Sequence, residues 1–255
     1  MYVPAHFAAG DLDQVAAFVD RAGSADLVTY DGTGLSATLL PVLWDRGSAD
    51  PDSAERGGDD DGGDGGDGNL GRLLGHLARS NPQWQTAVAE VPALAIVRGP
   101  QAYVSPSWYQ STAEHGRTVP TWNYTTVHLS GAVTFHQDEA WLRDIVTRLT
   151  EKYEAGREHR WWVTDAPERF IAGQLRAIVG VEMTVQRVEA KDKLSQNRPP
   201  QDRTNVIAAL RADEDPQARE IARLMAQRET GRDDAARRDG AGDIAAGRES
   251  AVIER

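Results

Sequence analysis

Three stretches of the chain concentrate side chains able to do chemistry. The first, Gly75-His76-Leu77-Ala78-Arg79-Ser80-Asn81-Pro82, joins a strand-like run to a helix start. Such a junction offers free backbone N–H groups and the positive end of a helix dipole. With Arg79 beside it and Ser80 and Asn81 as further donors, it suits a phosphate. The same residues also read as a capped helix with a surface arginine. The second stretch, Ala102–Tyr124, holds two of the seven tryptophans and three of the six tyrosines, including Trp108, Tyr109, Trp122 and Tyr124. Large aromatics in loops either plug a barrel end or contact a flat ligand. The third, Lys191–Arg198, is rich in bases and amides (Lys193, Gln196, Asn197) and reads equally as a polar loop.

The sequence contains no GxSxG, GxxxxGK[ST], HExxH or strand-borne GxGxxG pattern. His128 and His136 are evenly spaced along one predicted strand, but no third ligand stands at metal spacing. With no cysteine, thiol catalysis, disulfides and Cys-bearing metal sites are excluded. No helix-turn-helix pattern or basic stripe points to a nucleic-acid surface.

These stretches must be positioned by a body that alternates short strand and helix signals. Leu12, Val15, Phe18 and Val19 recur at helical spacing behind Asp11 as N-cap. Runs over 26–30 and 35–44 read as strands joined by the turn Asp31-Gly32-Thr33-Gly34. A third strand is expected over 70–77 and a helix from Pro82 to about Ala89. Two further strands, 93–98 and 101–105, flank a Gly99-Pro100 turn. A loop over 106–120 precedes a long strand over 122–136, interrupted at Gly131. Helices over 138–155 and 167–175 and a strand over 177–188 follow. Seven or so strands with peripheral helices, mostly hairpin-linked, predict a mainly β (α+β) antiparallel barrel.

The 255 residues carry a formal charge of −11, 40% apolar residues and a mean hydropathy of −0.52. The acidity is local. Residues 50–68 hold eight acids against Arg56 alone, and the tail from Arg211 to Arg255 holds eleven acids against nine arginines, leaving −2 for the rest. The Gly/Asp-rich insert over 47–68 is expected to be a disordered loop extension. The tail over 211–255 is expected to fray after a helix near Glu220–Gln227. The longest aliphatic-aromatic run, Leu39–Trp44, is too short to cross a membrane, and the opening residues lack the pattern of a secretion signal. A soluble cytoplasmic protein is expected.

Several blocks together resemble the PaiB-like family, described as FMN-binding negative transcriptional regulators. They are GHLARSNPQW (75–84), QAYVSPSWY (101–109), AEHGRTVPTWNYTTVHLSG (113–131) and KLSQNR (193–198), with MYVPAHF and LSATLLP (35–41) before them. The likeness covers roughly 1–210 and leaves the acidic insert and the tail outside. It implies a split β-barrel of the FMN-binding type, related to pyridoxamine-phosphate oxidases, that forms a homodimer with FMN at its interface. Carried over by position, His76, Arg79, Ser80 and Asn81 would lie at the phosphate, with Arg79 as the charged clamp. Ser107, Trp108, Tyr109, Trp122, Asn123 and Tyr124 would lie near the ring or the dimer seam, and Lys193, Gln196 and Asn197 would reach in from either chain. The chain departs from the pattern at Leu39, where histidine is expected, and at Ala190 and Asp192, where glycine and an aromatic are expected. The implied role is repression, with promoter DNA as a direct or indirect partner. The alternative is a flavin-dependent oxidoreductase acting on a small molecule.

Overall fold

The computed structural model describes residues 1–47 and 70–230. The insert expectation, save Gly47, and the tail expectation beyond 230 lie outside these residues. In chain order the elements are α1 (Leu12–Ala22), β1 (Ser24–Tyr30), β2 (Leu35–Asp45), β3 (Arg72–Ala78), α2 (Gln83–Thr86), β4 (Ala93–Val104), α3 (Gln110–His115), β5 (Thr121–His136), α4 (Glu139–Glu154), α5 (Glu168–Leu175), β6 (Ile178–Lys193) and α6 (Pro200–Arg211). A last helix, α7, covers 216–230. The strands close a barrel in the order β1-β2-β3-β6-β5-β4. This is the mainly β (α+β) antiparallel barrel expected from the strand pattern, with six strands rather than seven or so, and it agrees with the split barrel that the resemblance implies.

Local chemistry accounts for most boundaries. Asp11 and Asp138 accept the Gln14 and Trp141 N–H groups at the starts of α1 and α4, and Gly23 ends α1 in the left-handed region at φ 68°. Asp31 Oδ1 accepts from Thr33 N and Gly34 N, which fixes the β1–β2 hairpin. β1 then pairs antiparallel with β2 on one edge (Leu27↔Thr38) and with β4 on the other (Leu27↔Ala95), which closes the ring.

Two expected breaks are continuous strand. Gly99-Pro100 is no turn: β4 runs through it, but its buried positions change from 93, 95 and 97 to 102 and 104. A shift of phase by one residue is what a bulge produces, and glycine and proline are the residues a bulge tolerates. At Gly131 a β-carbon would stand 1.8 Å from Thr184 O, so the glycine lets β6 approach rather than interrupting β5. The expected helix after Pro82 is only the four residues of α2. The expected loop over 106–120 contains a 3-10 turn, Pro106–Trp108, and α3.

The chain divides into two compact units that interleave in sequence. The barrel unit comprises Met1–Val3, Ala8–Gly99 and Thr126–Lys191. Its core holds Leu27, Val97, Leu129, Val181 and Met183, fully or almost fully buried. At about 1.5–3 kcal/mol for each such side chain, this interior is the unit's main stabilising term. The second unit comprises Pro4–Phe7, Pro100–Thr125 and Asp192–Arg255. Its own core gathers Val104 and Tyr109 with Leu194, Val206, Leu210, Ile221 and Met225. The tail helix is therefore better anchored than a fraying segment. Ala218, Ile221, Ala222 and Met225 form one buried face.

One buried polar group knits the barrel unit together. Gln83, 2% exposed, donates from Nε2 to Leu27 O, Thr29 Oγ1 and Ser36 O, and accepts from Thr38 Oγ1. Gln83→Ala should lower unfolding stability by about 1–3 kcal/mol in urea melts, because the acceptors of β1 and β2 lose their donor inside the protein.

Candidate functional site

In the barrel unit, β3 carries His76 opposite Gly180 of β6 and delivers the chain to Arg79. Burial pushes the His76 imidazole below its ordinary range, so it is neutral at neutral pH. Arg79 is committed to the protein. Its Nε donates to Arg176 O at 2.7 Å, Nη1 to Gln137 Oε1 at 2.7 Å and Nη2 to Ile178 O at 3.1 Å. The guanidinium thus caps the carbonyl end of α5 and ties it to the start of β6, a favourable place for a cation. That differs from the open phosphate clamp expected of it. Asn81 is also engaged, donating to Thr38 Oγ1 and accepting from Gln83 N. With α2 only one turn long, the expected corner of free N–H groups is not formed. Ser80 is exposed and keeps its hydroxyl open among the described residues.

The second unit gathers the other candidates. Trp122, on β5, is 52% exposed and meets the exposed Tyr103 of β4 edge to face, ring centroids 6.2 Å apart. Lys193 donates to Thr121 Oγ1 and Trp122 O, with its ammonium 5.9 Å from the Tyr124 ring. The cation therefore locks β6 to β5. Asn123 is fully buried, accepting from Ser195 Oγ and facing Met225 Sδ. Gln196 closes its own loop, accepting from Leu194 N and donating to Asp192 O. Ser195 holds that loop at φ 61°.

Trp108 packs against the second core and Tyr109 is buried within it. The Arg198 guanidinium lies 4.5 Å from the Tyr109 ring centre. The Tyr109 hydroxyl makes no well-formed hydrogen bond among the described residues, and burial raises its pKa. Ser107 and Asn197 are exposed. Trp122, Ser107 and Asn197 thus face outward, whereas Asn123, Gln196 and Lys193 hold the unit together.

Residues that sequence reasoning passed over complete the picture. Tyr103 adds a second exposed ring beside Trp122. Asp202, 1% exposed, accepts from the backbone N–H and hydroxyl of Ser111 and joins α6 to α3. The outer face of the β4–β1–β2 sheet is apolar as well, with Leu94, Ile96, Val28, Tyr30, Leu35 and Leu39 at alternating positions. Leu35 is 76% and Leu39 65% exposed. The alternation of 35, 37 and 39 was visible in the sequence, but the expectation there concerned only the missing histidine.

Comparison with known proteins places this geometry. Residues 1–187 match the family described as "Putative FMN-binding domain". The chain belongs to that family. It is 32% identical over 226 residues to the "Protease synthase and sporulation protein PAI 2" of Bacillus subtilis (strain 168), covering 88% of this chain and 96% of that protein. The PaiB-like resemblance is thereby borne out over most of the length. It is also 32% identical over 169 residues to an uncharacterized Aspergillus fumigatus protein, AFUA_5G13800, covering 54% of this chain and 65% of that one. Among solved structures, the flavocytochrome Anf3 from Azotobacter vinelandii matches with a TM-score of 0.50 at 15% identity, over 75% of this chain and 72% of that one. At that identity the likeness concerns the fold.

The buried carboxylate of the second unit gives this region a pH dependence. Burial acts to raise the Asp202 pKa, but the bonds from Ser111 outweigh it and hold the carboxyl below its ordinary range. A depressed carboxylate contributes stability that is complete above its unfolded pKa, about 4, and is lost as pH falls through the folded value. In urea melts across a pH series, the advantage of wild type over Asp202→Asn should be constant above about pH 5. It should shrink steadily below about pH 4.

Proposed function

We propose that this protein binds FMN as a homodimer and acts as a negative regulator of transcription. Membership of the FMN-binding family supports the flavin, and the apolar outer sheet face carries the dimer. A sheet exposing leucines on its outside as well as its inside has more apolar surface than a solvated barrel wall. A second copy answers this directly, since a two-fold axis brings like faces together. The Asp26–Arg98 ion pair on the same face, at 2.6 Å, satisfies its charges within one chain and leaves no unpaired group to bury.

The outward groups fit a flavin. Within the second unit, the exposed Trp122 and Tyr103 rings suit its flat ring system, and the exposed Ser107 and Asn197 offer polar groups. FMN, when bound, supplies one- and two-electron redox chemistry. The chain's own work is to hold the ring against the aromatic pair and shield it from water.

Repression is supported by the PaiB-like sequence blocks, a resemblance that extends over most of the chain. The loop over 191–203 gives little support to direct DNA contact. Lys191 donates to Tyr2 O, and Lys193 to groups of β5. Arg203 pairs with Glu229, and Arg198 lies over Tyr109. Cations engaged in this way have less to offer a phosphate backbone.

Leu39→Asp tests the reading, because it charges the exposed face without touching the core. Sedimentation velocity should show a dimer for wild type and a monomer for the variant, and the variant should bind FMN more weakly. Transcript profiling should show genes that rise on deletion of the chromosomal copy, are restored by wild type and are not restored by Leu39→Asp. A wild-type monomer would remove the dimer, and an unchanged transcript profile would remove the regulator.

A further inference from the structure

The second unit has a cleft of about 330 Å³ that the flavin reading leaves unused, lined by Arg211, Arg219, Arg223, Ala226, Gln227 and Thr230. Its walls are the end of α6 and one stripe of α7. Positions 219, 223, 226, 227 and 230 share that stripe at helical spacing, opposite the buried face. Three arginines therefore line one cleft, and no carboxylate is among its lining residues.

Two of these arginines are held in place by groups that do not fill the cleft. Arg219 donates from Nη1 alone, to Asp213 O and Glu214 O in the turn between the helices, each at 2.8 Å. Its Nε and Nη2 have no partner among the described residues. Arg223 is paired through Nε and Nη2 with Glu220, which leaves Nη1. The Arg211 side chain makes no hydrogen bond or ion pair among the described residues, and neither does the Gln227 amide. Fixed guanidinium groups with spare N–H donors are prepared for a ligand carrying several acceptor oxygens. Like charges three and four residues apart otherwise cost a helix stability, and an anion turns that cost into affinity.

We propose that the α6–α7 cleft binds the phosphate group of a small ligand. The cleft is shallow and largely open to solvent, with room for a small group. A compact ligand is favoured over a nucleic-acid backbone by the neighbouring turn. Asp213, Glu214 and Asp215 are all exposed there, and three consecutive acids repel an extended polyanion while leaving a ligand inside the cleft to the arginines. None of its lining residues is among those assigned to the flavin, so a ligand held there is a second input to the same chain.

The test is isothermal titration of the full chain, first saturated with FMN and freed of excess, with pyrophosphate as the probe. A chain that takes up no FMN is titrated as it stands, so that failure of the flavin reading is scored separately. Saturable binding is expected, weakened at least about tenfold in Arg211→Gln and lost when Arg219→Gln and Arg223→Gln are added. The Arg211 side chain makes no hydrogen bond or ion pair among the described residues and is exposed, so Arg211→Gln should keep the wild-type melting temperature and report on the ligand alone. Absence of saturable binding in wild type, or equal binding by Arg211→Gln, overturns the proposal. Binding of a DNA duplex that Arg211→Gln abolishes, without binding of pyrophosphate, overturns it in favour of a polyanion surface.

Discussion

The architecture depends on β1 being paired along both edges while presenting apolar residues on both faces. Pairing with β2 and β4 closes the barrel and leaves β1 no free edge, so its backbone polar groups find partners within the sheet. The inward row, Ala25 and Leu27, enters the core. The outward row, Val28 and Tyr30, continues into Leu35 and Leu39 across the hairpin. Closure thus fixes which residues fill the interior and also which apolar residues are left outside it. Elsewhere the wall is covered from within the chain: Ile145 and Leu149 of α4 pack on Leu74 of β3. On the face of β4–β1–β2, Leu35 and Leu39 stay exposed.

Charge is distributed by the same economy. Many cations that looked available in the sequence serve as internal fasteners. Arg79 holds the end of α5, Lys193 locks β6 to β5, Arg203 meets Glu229, and Arg228 meets the half-buried Asp192, whose carboxyl burial pushes up. An arginine bound to backbone carbonyls loses its reach toward a ligand but gains a fixed orientation. The α6–α7 cleft differs because its arginines keep donors beyond those that fix them.

Much of the fold was legible in the sequence. The Asp31–Gly34 turn, the Asp11 cap and the apolar stripe over 138–155 are local signals, and each led to the right element. The Gly99-Pro100 reading failed because the same dipeptide marks a turn or a bulge, and only the neighbouring strands decide between them. Helix α6 was missed because its buried Val206 and Leu210 are sparse, and Asp202 is a polar residue that burial alone makes structural. The candidate site was legible as residue types but not as roles. Asn123 and Gln196 carry the same amide as Asn197, yet the first two are buried fasteners and the third is open. Burial and partner choice, which one sequence does not carry, separate them.

The central claim is that the split barrel is a flavin carrier, and the visible spectrum of the purified protein with the cofactor content of its denatured supernatant tests it most directly. The account predicts a flavin absorption band and release of one FMN per chain, either as purified or after incubation with FMN and gel filtration. A colourless protein that returns no FMN after the same incubation would contradict it.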